Sequence, residues 1–417
     1  MTRAEAARTG LPHHDGRPLN ILIVADDLYP GFGGQAASTE GFVRVLLERG
    51  HRVEALAADV DKPTEPPEVI VHRLPSWRPG DKMTRFVLPF YTHLRELVER
   101  ADIVHVMMPS PVCWRALAHA QAAGKPGIVG LHVQRESLTH HVNPLFRNVV
   151  GDALDTYYRT FFRMADVAVV PSHFAASVFA EYSPRPCEVV SNGVDRGVYA
   201  PDRVDHAAAR SFRERLGVPD GGYLVLSVGR LSHEKDPLAL LRVGAELARE
   251  RQDFVLAFGG SGPLADTMRA EIERLGLHDR VKLLGFVPDA DLPTAYAAAD
   301  IFALGSPTEL QGIVLLEAMA LGAALFVAEV PTSAASEALA GGRTGESFDP
   351  ADPAGSARRL AALLDDRPRL AAMRRAALEE ADGHDLRRSV SKLESIYRRA
   401  VAGEYRTGTR AAGKDWQ

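Results

Sequence analysis

The chain has 417 residues, 46% of them hydrophobic and 25% charged, with a formal net charge of −5. That length makes about two to three ordinary domains, and the mixture excludes a disordered chain. The mild negative balance excludes a dedicated polyanion binder, so no nucleic-acid partner is expected. Two cysteines, Cys113 and Cys187, are too few for a disulfide framework or a four-cysteine zinc site, which suits a reducing compartment.

The opening segment MTRAEAARTGLPHHDGRP is polar and has no apolar core of signal type. Residues 1–17 are expected to form a flexible tail and the protein to stay in the cytoplasm. Leu19–Ala25 (LNILIVA) is a continuous apolar run closed by Asp26 and Asp27, the pattern of a strand buried on both faces. A loop with Gly31, Gly33 and Gly34 follows, then a helix from about Ala36 to Arg49 that Gly50 stops. Further strands are predicted at Arg52–Leu56, Val69–Arg73, Asp102–Met107, Gly127–Leu131 and Val167–Val170. Helical spacings alternate with them, as at Cys113–Ala123 and Ser172–Glu181. Alternation of this kind requires crossover connections and so a parallel, doubly wound α/β sheet.

From Ser191 to Asp220 turn formers dominate and apolar runs are short. The rhythm then restarts, with strands at Tyr223–Val228, Phe254–Phe258, Val281–Leu284, Ile301–Leu304 and Ala324–Ala328. The longest apolar run, Gly312–Ala328, is interrupted by Glu317 and split by Gly322, so it reads as a buried helix and a buried strand rather than a membrane span. A charged helical stretch runs from about Asp366 to Arg399. The expected organisation is an N-terminal domain at 18–195, a C-terminal domain at 196–385, a helix at 386–403 that packs back toward the first, and a flexible end at 404–417. In doubly wound sheets ligands bind beyond the carboxyl ends of the strands, which makes the cleft between the two domains the expected site.

Two segments carry chemistry. In Gly229-Arg230-Leu231-Ser232-His233-Glu234-Lys235-Asp236-Pro237, Asp236 suits a helix N-cap and Pro237 the first turn. Arg230, a fork of donors, and Lys235, a point charge, either converge on one diphosphate or are two solvated surface cations. The second segment opens at Glu309, in a loop after a buried strand, and Gly312 lets a ligand approach the backbone. The free amides of the helix that follows would point at a phosphate. Glu317 is a carboxylate within an otherwise apolar helix, so it either meets a ligand such as a ribose or has a buried partner of its own.

GRLSHEKD and TELQGIVLLEAMALG, about seventy residues apart, resemble the retaining GT-B glycosyltransferases of family 4, which transfer a sugar from a nucleotide-sugar donor. The resemblance extends over about residues 19–400, with SNGVD at Ser191–Asp195 and the GGSGPL turn at Gly259–Leu264 falling in similar places. It implies a GT-B architecture of two Rossmann-like domains facing across a cleft. It implies that Arg230 and Lys235 hold the donor diphosphate, Glu309 contacts hydroxyls of the transferred sugar, and Glu317 contacts the ribose. Amides of Leu310, Gln311, Gly312, Ile313 and Val314 would line the phosphates. Gly33-Gly34 resembles the family's glycine loop beside the donor phosphate. His132 resembles a histidine that reaches the donor sugar, the alternative being a structural histidine at a strand end. The sequence departs from the family where Pro331, Thr332 and Ser333 stand in a turn that is usually glycine-rich.

The activity implied is retaining, metal-independent transfer of a hexose to a hydroxyl of a lipid or glycan acceptor. A UDP-sugar is the favoured donor and GDP-mannose the second candidate, and no cofactor is expected. Asp289-Ala290-Asp291 has the Asp-x-Asp spacing that other glycosyltransferases use for a divalent ion, but between Pro288 and Pro293 it is read as capping the next helix. The rival readings are a non-catalytic nucleotide-sugar-binding protein of the same fold and a GT-B phosphorylase or epimerase. A nicotinamide enzyme is disfavoured, because DDLYPGFGG lacks the Gly-x-Gly-x-x-Gly spacing.

Residues 72–100 hold Arg73, Arg78, Lys82, Arg85, Arg95 and Arg100 against Asp81, Glu96 and Glu99, with Trp77, Phe86, Phe90 and Tyr91 interleaved. Residues 140–163 mix His141, Phe146, Arg147, Tyr157, Tyr158, Arg159, Phe161, Phe162 and Arg163. These stretches are either a contact with an anionic membrane, which would make the enzyme peripheral on the inner face, or a solvated helix face with aromatics in the core.

Overall fold

A computed structural model describes residues 16–29, 33–77, 86–88, 91–136 and 146–406. The chain divides into two compact units, the first running to Gly193 and resuming at Leu386, the second spanning Val194–Asp385.

In the first unit the described elements are β1 (Asn20–Val24), α1 (Gly34–Glu48), β2 (Arg52–Ala58), β3 (Ile70–Leu74), β4 (Ser76–Trp77), β5 (Phe86–Val87), α2 (Leu94–Arg100), β6 (Ile103–Val106), α3 (Pro111–Ala122), β7 (Gly127–Gly130), α4 (Arg147–Phe162), β8 (Val167–Val170), α5 (His173–Ala180) and β9 (Cys187–Val189). Seven strands form one sheet in the order β3-β2-β1-β6-β7-β8-β9, every pair parallel. β1 is central because its apolar run can be covered on both faces: Ile21 stands level with Val53 on one side and Ile103 on the other. β4 and β5 make a separate antiparallel pair.

The second unit contains α6 (His206–Leu216), β10 (Tyr223–Val228), α7 (Pro237–Ala248), β11 (Phe254–Gly259), α8 (Ala265–Arg274), β12 (Val281–Gly285), α9 (Leu292–Ala298), β13 (Ile301–Leu304), α10 (Ile313–Ala320), β14 (Ala324–Ala328), β15 (Gly345–Phe348), α11 (Pro353–Asp365) and α12 (Arg367–Gly383). Its six strands are parallel in the order β12-β11-β10-β13-β14-β15. Side chains alternate across a strand, so β10 feeds two cores: Tyr223 and Val225 enter one cluster, Leu224 and Leu226 the other.

The helical stretch expected from Asp366 to Arg399 is two helices. It breaks at His384-Asp385, and α13 (Leu386–Val401) belongs to the first unit. Leu386, Val390, Leu393, Ile396 and Tyr397 pack with Ile21, Phe42 and Leu46. Buried Glu394 takes Arg398 at 2.7 Å, Arg49 at 3.0 Å and His51 at 3.4 Å. Burial alone would raise its carboxyl, but His51, Arg398 and Arg49 outweigh that and hold it well below the usual carboxylate range. Among the described residues no helix is long and apolar enough to cross a membrane.

Candidate functional site

The carboxyl ends of β10, β11 and β13 in the second unit gather most of the charged residues singled out by sequence. After β10 the chain turns through Gly229–Lys235 into α7. Asp236 caps that helix, its carboxylate accepting the Ala239 N–H at 3.1 Å from a left-handed backbone (φ 36), and Pro237 fills the first turn. The β11 loop lies hard against this turn. A Cβ on Gly260 (φ 141) would meet the Gly229 carbonyl oxygen at 1.9 Å, so glycine is required there.

Lys235 and Glu309 meet in this place: Lys235 Nζ donates to Glu309 Oε1 at 2.6 Å. The lysine side chain is 33% exposed and the glutamate 10%. Burial works against the charge on Lys235, but the carboxylate more than offsets it, so the ammonium pKa is raised. Arg230 is exposed at the start of the same turn; its carbonyl accepts the Ser232 N–H at 2.9 Å, and its guanidinium makes no hydrogen bond or ion pair among the described residues. The backbone of Glu309 is fixed by the departing turn: its carbonyl accepts the Ala334 N–H at 2.7 Å, and Thr332 Oγ1 donates to the Pro307 carbonyl at 2.6 Å. Ser306 Oγ donates to the Glu234 carbonyl at 3.1 Å and ties the two motifs together. Ser306 was not singled out by sequence, and Thr332 and Ser333 stood out there only as a departure from the family's glycine-rich turn, not as residues that fix Glu309. Their polar side chains beside Pro307 and Pro331 were the available signal.

Leu310 is buried and Gln311 half-buried just ahead of α10. Gly312 is the N-cap in an extended conformation, with no side chain to satisfy the helix, so the first amides, at Ile313 and Val314, have no intrahelical acceptor. Such an end favours an anion. In the second turn of α10, Glu317 accepts a hydrogen bond from the Tyr296 hydroxyl at 2.8 Å, and the Tyr199 phenol also acts on its carboxylate. Burial pushes its carboxyl up to about 7, with the two phenols pulling the other way and Asp289 adding to the rise. Of the two expectations for Glu317, the buried partner is present, and neither tyrosine was foreseen.

The expectation that Asp289-Ala290-Asp291 caps the next helix is corrected. Asp291 stands at the N-cap position of α9, but its backbone is already helical (φ −95, ψ −16) and its side chain makes no capping bond. A capping side chain reaches back from a residue whose backbone is not yet helical, as at Asp236. Among the described residues, no group of three or more His, Cys, Asp or Glu could hold a metal ion.

In the first unit, Gly33 is exposed at the N-cap of α1 with φ 89, a conformation suited to glycine; Gly34 is the first residue of that helix. His132 lies just past β7, and burial lowers its pKa to about 4, so its imidazole is neutral near pH 7. A Cβ on Gly130 would lie 2.9 Å from that ring. Asp26, fully buried after β1, accepts the Val87 N–H at 2.7 Å, and burial raises its carboxyl to about 6.

The basic and aromatic stretches divide. Arg73 is structural: it donates to the carbonyls of Leu28, Ala58 and Tyr29 and pairs with Glu65. Arg95 pairs with Glu99, and Arg100 with Glu54. Tyr158, Phe161 and Phe162 are core residues, whereas Trp77 and Phe146 are 60% and 61% exposed. Gly31, Arg78, Asp81, Lys82, Arg85, Phe90, His140 and His141, with residues 1–15 and 407–417, lie outside the described residues.

Comparison with known proteins bears on the family and the fold. Residues 208–380 match the family described as glycosyl transferases group 1, and residues 32–197 match glycosyltransferase family 4. The chain is 38% identical over 241 residues to a D-inositol 3-phosphate glycosyltransferase of Corynebacterium efficiens, covering 56% of each chain. It thus spans about half the length of that relative. It is 30% identical over 369 residues to a GDP-mannose-dependent alpha-(1-6)-phosphatidylinositol monomannoside mannosyltransferase of Mycolicibacterium smegmatis, covering 85% of this chain and 91% of the relative. Among solved structures, HepE of Anabaena with UDP and glucose has a TM-score of 0.70 at 19% identity, over 91% of this chain and 99% of the other. Sucrose-phosphate synthase of Thermosynechococcus elongatus has a TM-score of 0.73 at 18% identity, over 92% and 100%. Two family matches along the chain, a relative matched almost end to end and two parallel α/β sheets together establish that this chain belongs to the group 1, family 4 glycosyltransferases and has the GT-B fold.

Proposed function

We propose that this protein is a hexosyltransferase that moves a sugar from a nucleoside-diphosphate donor to a hydroxyl of a lipid or glycan, with retention of configuration and without a metal ion. The observation that carries this reading is the Lys235–Glu309 pair at 2.6 Å beside the uncapped start of α10. A cation, open helix amides and a carboxylate are what a diphosphate joined to a sugar requires. Arg230 and Lys235 take the diphosphate, with the amides of residues 310–314 along its oxygens. Glu309 takes sugar hydroxyls, and Glu317 takes the ribose. We also assign Gly33, Gly34 and His132 to the donor.

The chemistry follows from charge. As the bond between sugar and phosphate breaks, negative charge grows on the leaving diphosphate, and fixed cations and amides stabilise it most at that moment. The acceptor hydroxyl gives its proton to the departing phosphate oxygen on the same face, so configuration is retained. Glu309 positions the sugar and stabilises the positive charge that develops on it. UDP-hexose is favoured and GDP-mannose is second; relatives named for a glucosyldiacylglycerol and for a phosphatidylinositol mannoside support a lipid acceptor. A membrane contact would rest on exposed Trp77, Leu88, Phe146 and Val149. Flotation with vesicles that does not depend on anionic lipid removes that part.

The test is product analysis with UDP-hexoses and GDP-mannose in excess chelator. Transfer with an unchanged anomeric configuration is expected, and Lys235→Ala should raise the barrier by about 2–4 kcal/mol, as loss of one preorganised donor does. Full turnover by Lys235→Ala, or a requirement for added metal, overturns the corresponding assignment.

A further inference from the structure

Glu317 is held from two sides. Tyr296, on α9, is fully buried and braced edge-on against Phe302 with ring centroids 5.5 Å apart; its hydroxyl donates to Glu317 Oε2 at 2.8 Å. Tyr199, from the segment before α6, has its phenol close enough to act on the same carboxylate and favour its charge, and its ring meets that of Tyr296 at 6.0 Å and 61°. A carboxylate offers about four lone-pair sites. With the phenols on one side, at least two remain, which is what a pair of adjacent ribose hydroxyls needs.

The charged neighbours are negative or engaged elsewhere. Asp289, before α9, acts on Glu317 directly, and Asp195 acts on Tyr199. Arg196 donates to the Ala320 carbonyl and pairs with Asp382. Arg374, on the α12 helix that packs against α10, goes to Asp300 and the Gly322 carbonyl. Glu337, in the 334–342 segment, acts on His384. The two phenols are therefore the groups that favour the ionised form of Glu317.

We propose that Tyr199 and Tyr296 are positioning residues for the donor: their hydroxyls hold Glu317 as a carboxylate with two acceptor sites left for a vicinal diol, and so set the pH dependence of ribonucleotide binding. The inference rests on the assignment of Glu317 to the ribose. A protonated carboxyl cannot accept from both diol hydroxyls, so affinity rises with pH as the group, near 7 in the free protein, ionises. Deleting one phenol removes support for the charged form and moves that rise to higher pH.

The full chain is titrated between pH 5.5 and 8.5 with UDP or GDP, whichever binds tighter, and with its 2′-deoxy counterpart. The wild type should prefer the ribonucleotide by ~10-fold at pH 8, and Glu317→Gln should lose that preference. Tyr199→Phe and Tyr296→Phe should each weaken ribonucleotide binding ~3–10-fold at pH 7, leave the deoxynucleotide unchanged and shift the pH midpoint upward. Preference retained in Glu317→Gln, or binding of neither nucleotide, overturns the ribose assignment and the inference with it. Preference lost in Glu317→Gln, with wild-type midpoints in both Phe variants, overturns the inference alone. A lower melting temperature in a Phe variant without a moved midpoint marks a packing role and also overturns it.

Discussion

Glu309→Gln removes the charge that Lys235 Nζ meets at 2.6 Å while keeping the shape of the side chain. A buried charge-assisted bond is worth about 1.5–3 kcal/mol. Here the lysine side chain is 33% exposed, so solvent screens the pair, and about 1–2 kcal/mol is the better figure for its coupling. In the wild type a diphosphate must draw the ammonium away from that carboxylate, and in the variant it need not. The variant should therefore bind UDP or GDP at least as tightly as the wild type, and up to ~10-fold more tightly, since 1.4 kcal/mol is tenfold. Turnover should nonetheless fall by ~10²–10³, because the group that positions and stabilises the sugar has lost its charge. Calorimetric titration with the nucleoside diphosphate and steady-state kinetics with the sugar donor separate the two effects. Weakened diphosphate binding would show that Glu309 holds Lys235 in place for the phosphates rather than competing with them. Wild-type turnover would refute contact between Glu309 and the sugar.

Three further predictions concern other parts of the molecule. Gly260→Ala must push a Cβ toward the Gly229 carbonyl oxygen, 1.9 Å away, so a melting temperature lowered by several degrees and weakened diphosphate binding are expected in scanning calorimetry and titration. Glu394→Ala strands Arg49 and Arg398, at a cost of about 3 kcal/mol in urea unfolding at pH 7. Because the folded carboxyl is depressed, that contribution is present above the unfolded value of about 4.3 and lost as pH falls through the folded one, so the two proteins should converge in strong acid. His132 is already neutral with its pKa near 4, so the turnover of wild type and His132→Asn should show the same pH profile from 5.5 to 8.

The strands that were legible are those in which an apolar run is bracketed by turn formers. Val167–Val170, Tyr223–Val228, Ile301–Leu304 and Ala324–Ala328 match residue for residue. In the two parallel sheets the strands missed, Cys187–Val189 and Gly345–Phe348, are edges: CEV and GESF carry little of the apolar signal that marks a strand covered on both faces; the short antiparallel pair Ser76–Trp77 and Phe86–Val87 was missed too. The break at His384-Asp385 follows Gly383 and falls at the end of the domain expected at 196–385, ahead of the separate helix expected at 386–403. In the site, Lys235, Glu309 and Glu317 stand out because a charge in an apolar setting needs a reason. Tyr199 and Tyr296 do not, since an aromatic near an apolar run reads as core until its hydroxyl is seen to have a carboxylate beside it. Asp291 misled because a residue type favoured at caps says nothing about whether the backbone there is already helical.

The first unit is built from two separated pieces of chain, and this bears on how it is made. Its final helix supplies Leu386, Val390, Leu393, Ile396 and Tyr397 to the same core as β1 and α1, yet all of the second unit lies between them in sequence. On the ribosome that intervening segment of roughly 190 residues takes ~10–40 s to emerge. Throughout that interval the first sheet waits with one flank of its core uncovered, while the second unit, continuous in sequence, is free to finish. Termination before Leu386 should therefore spare the later-made half and disable the earlier one, and a chaperone holding the nascent chain should be found on the older sheet.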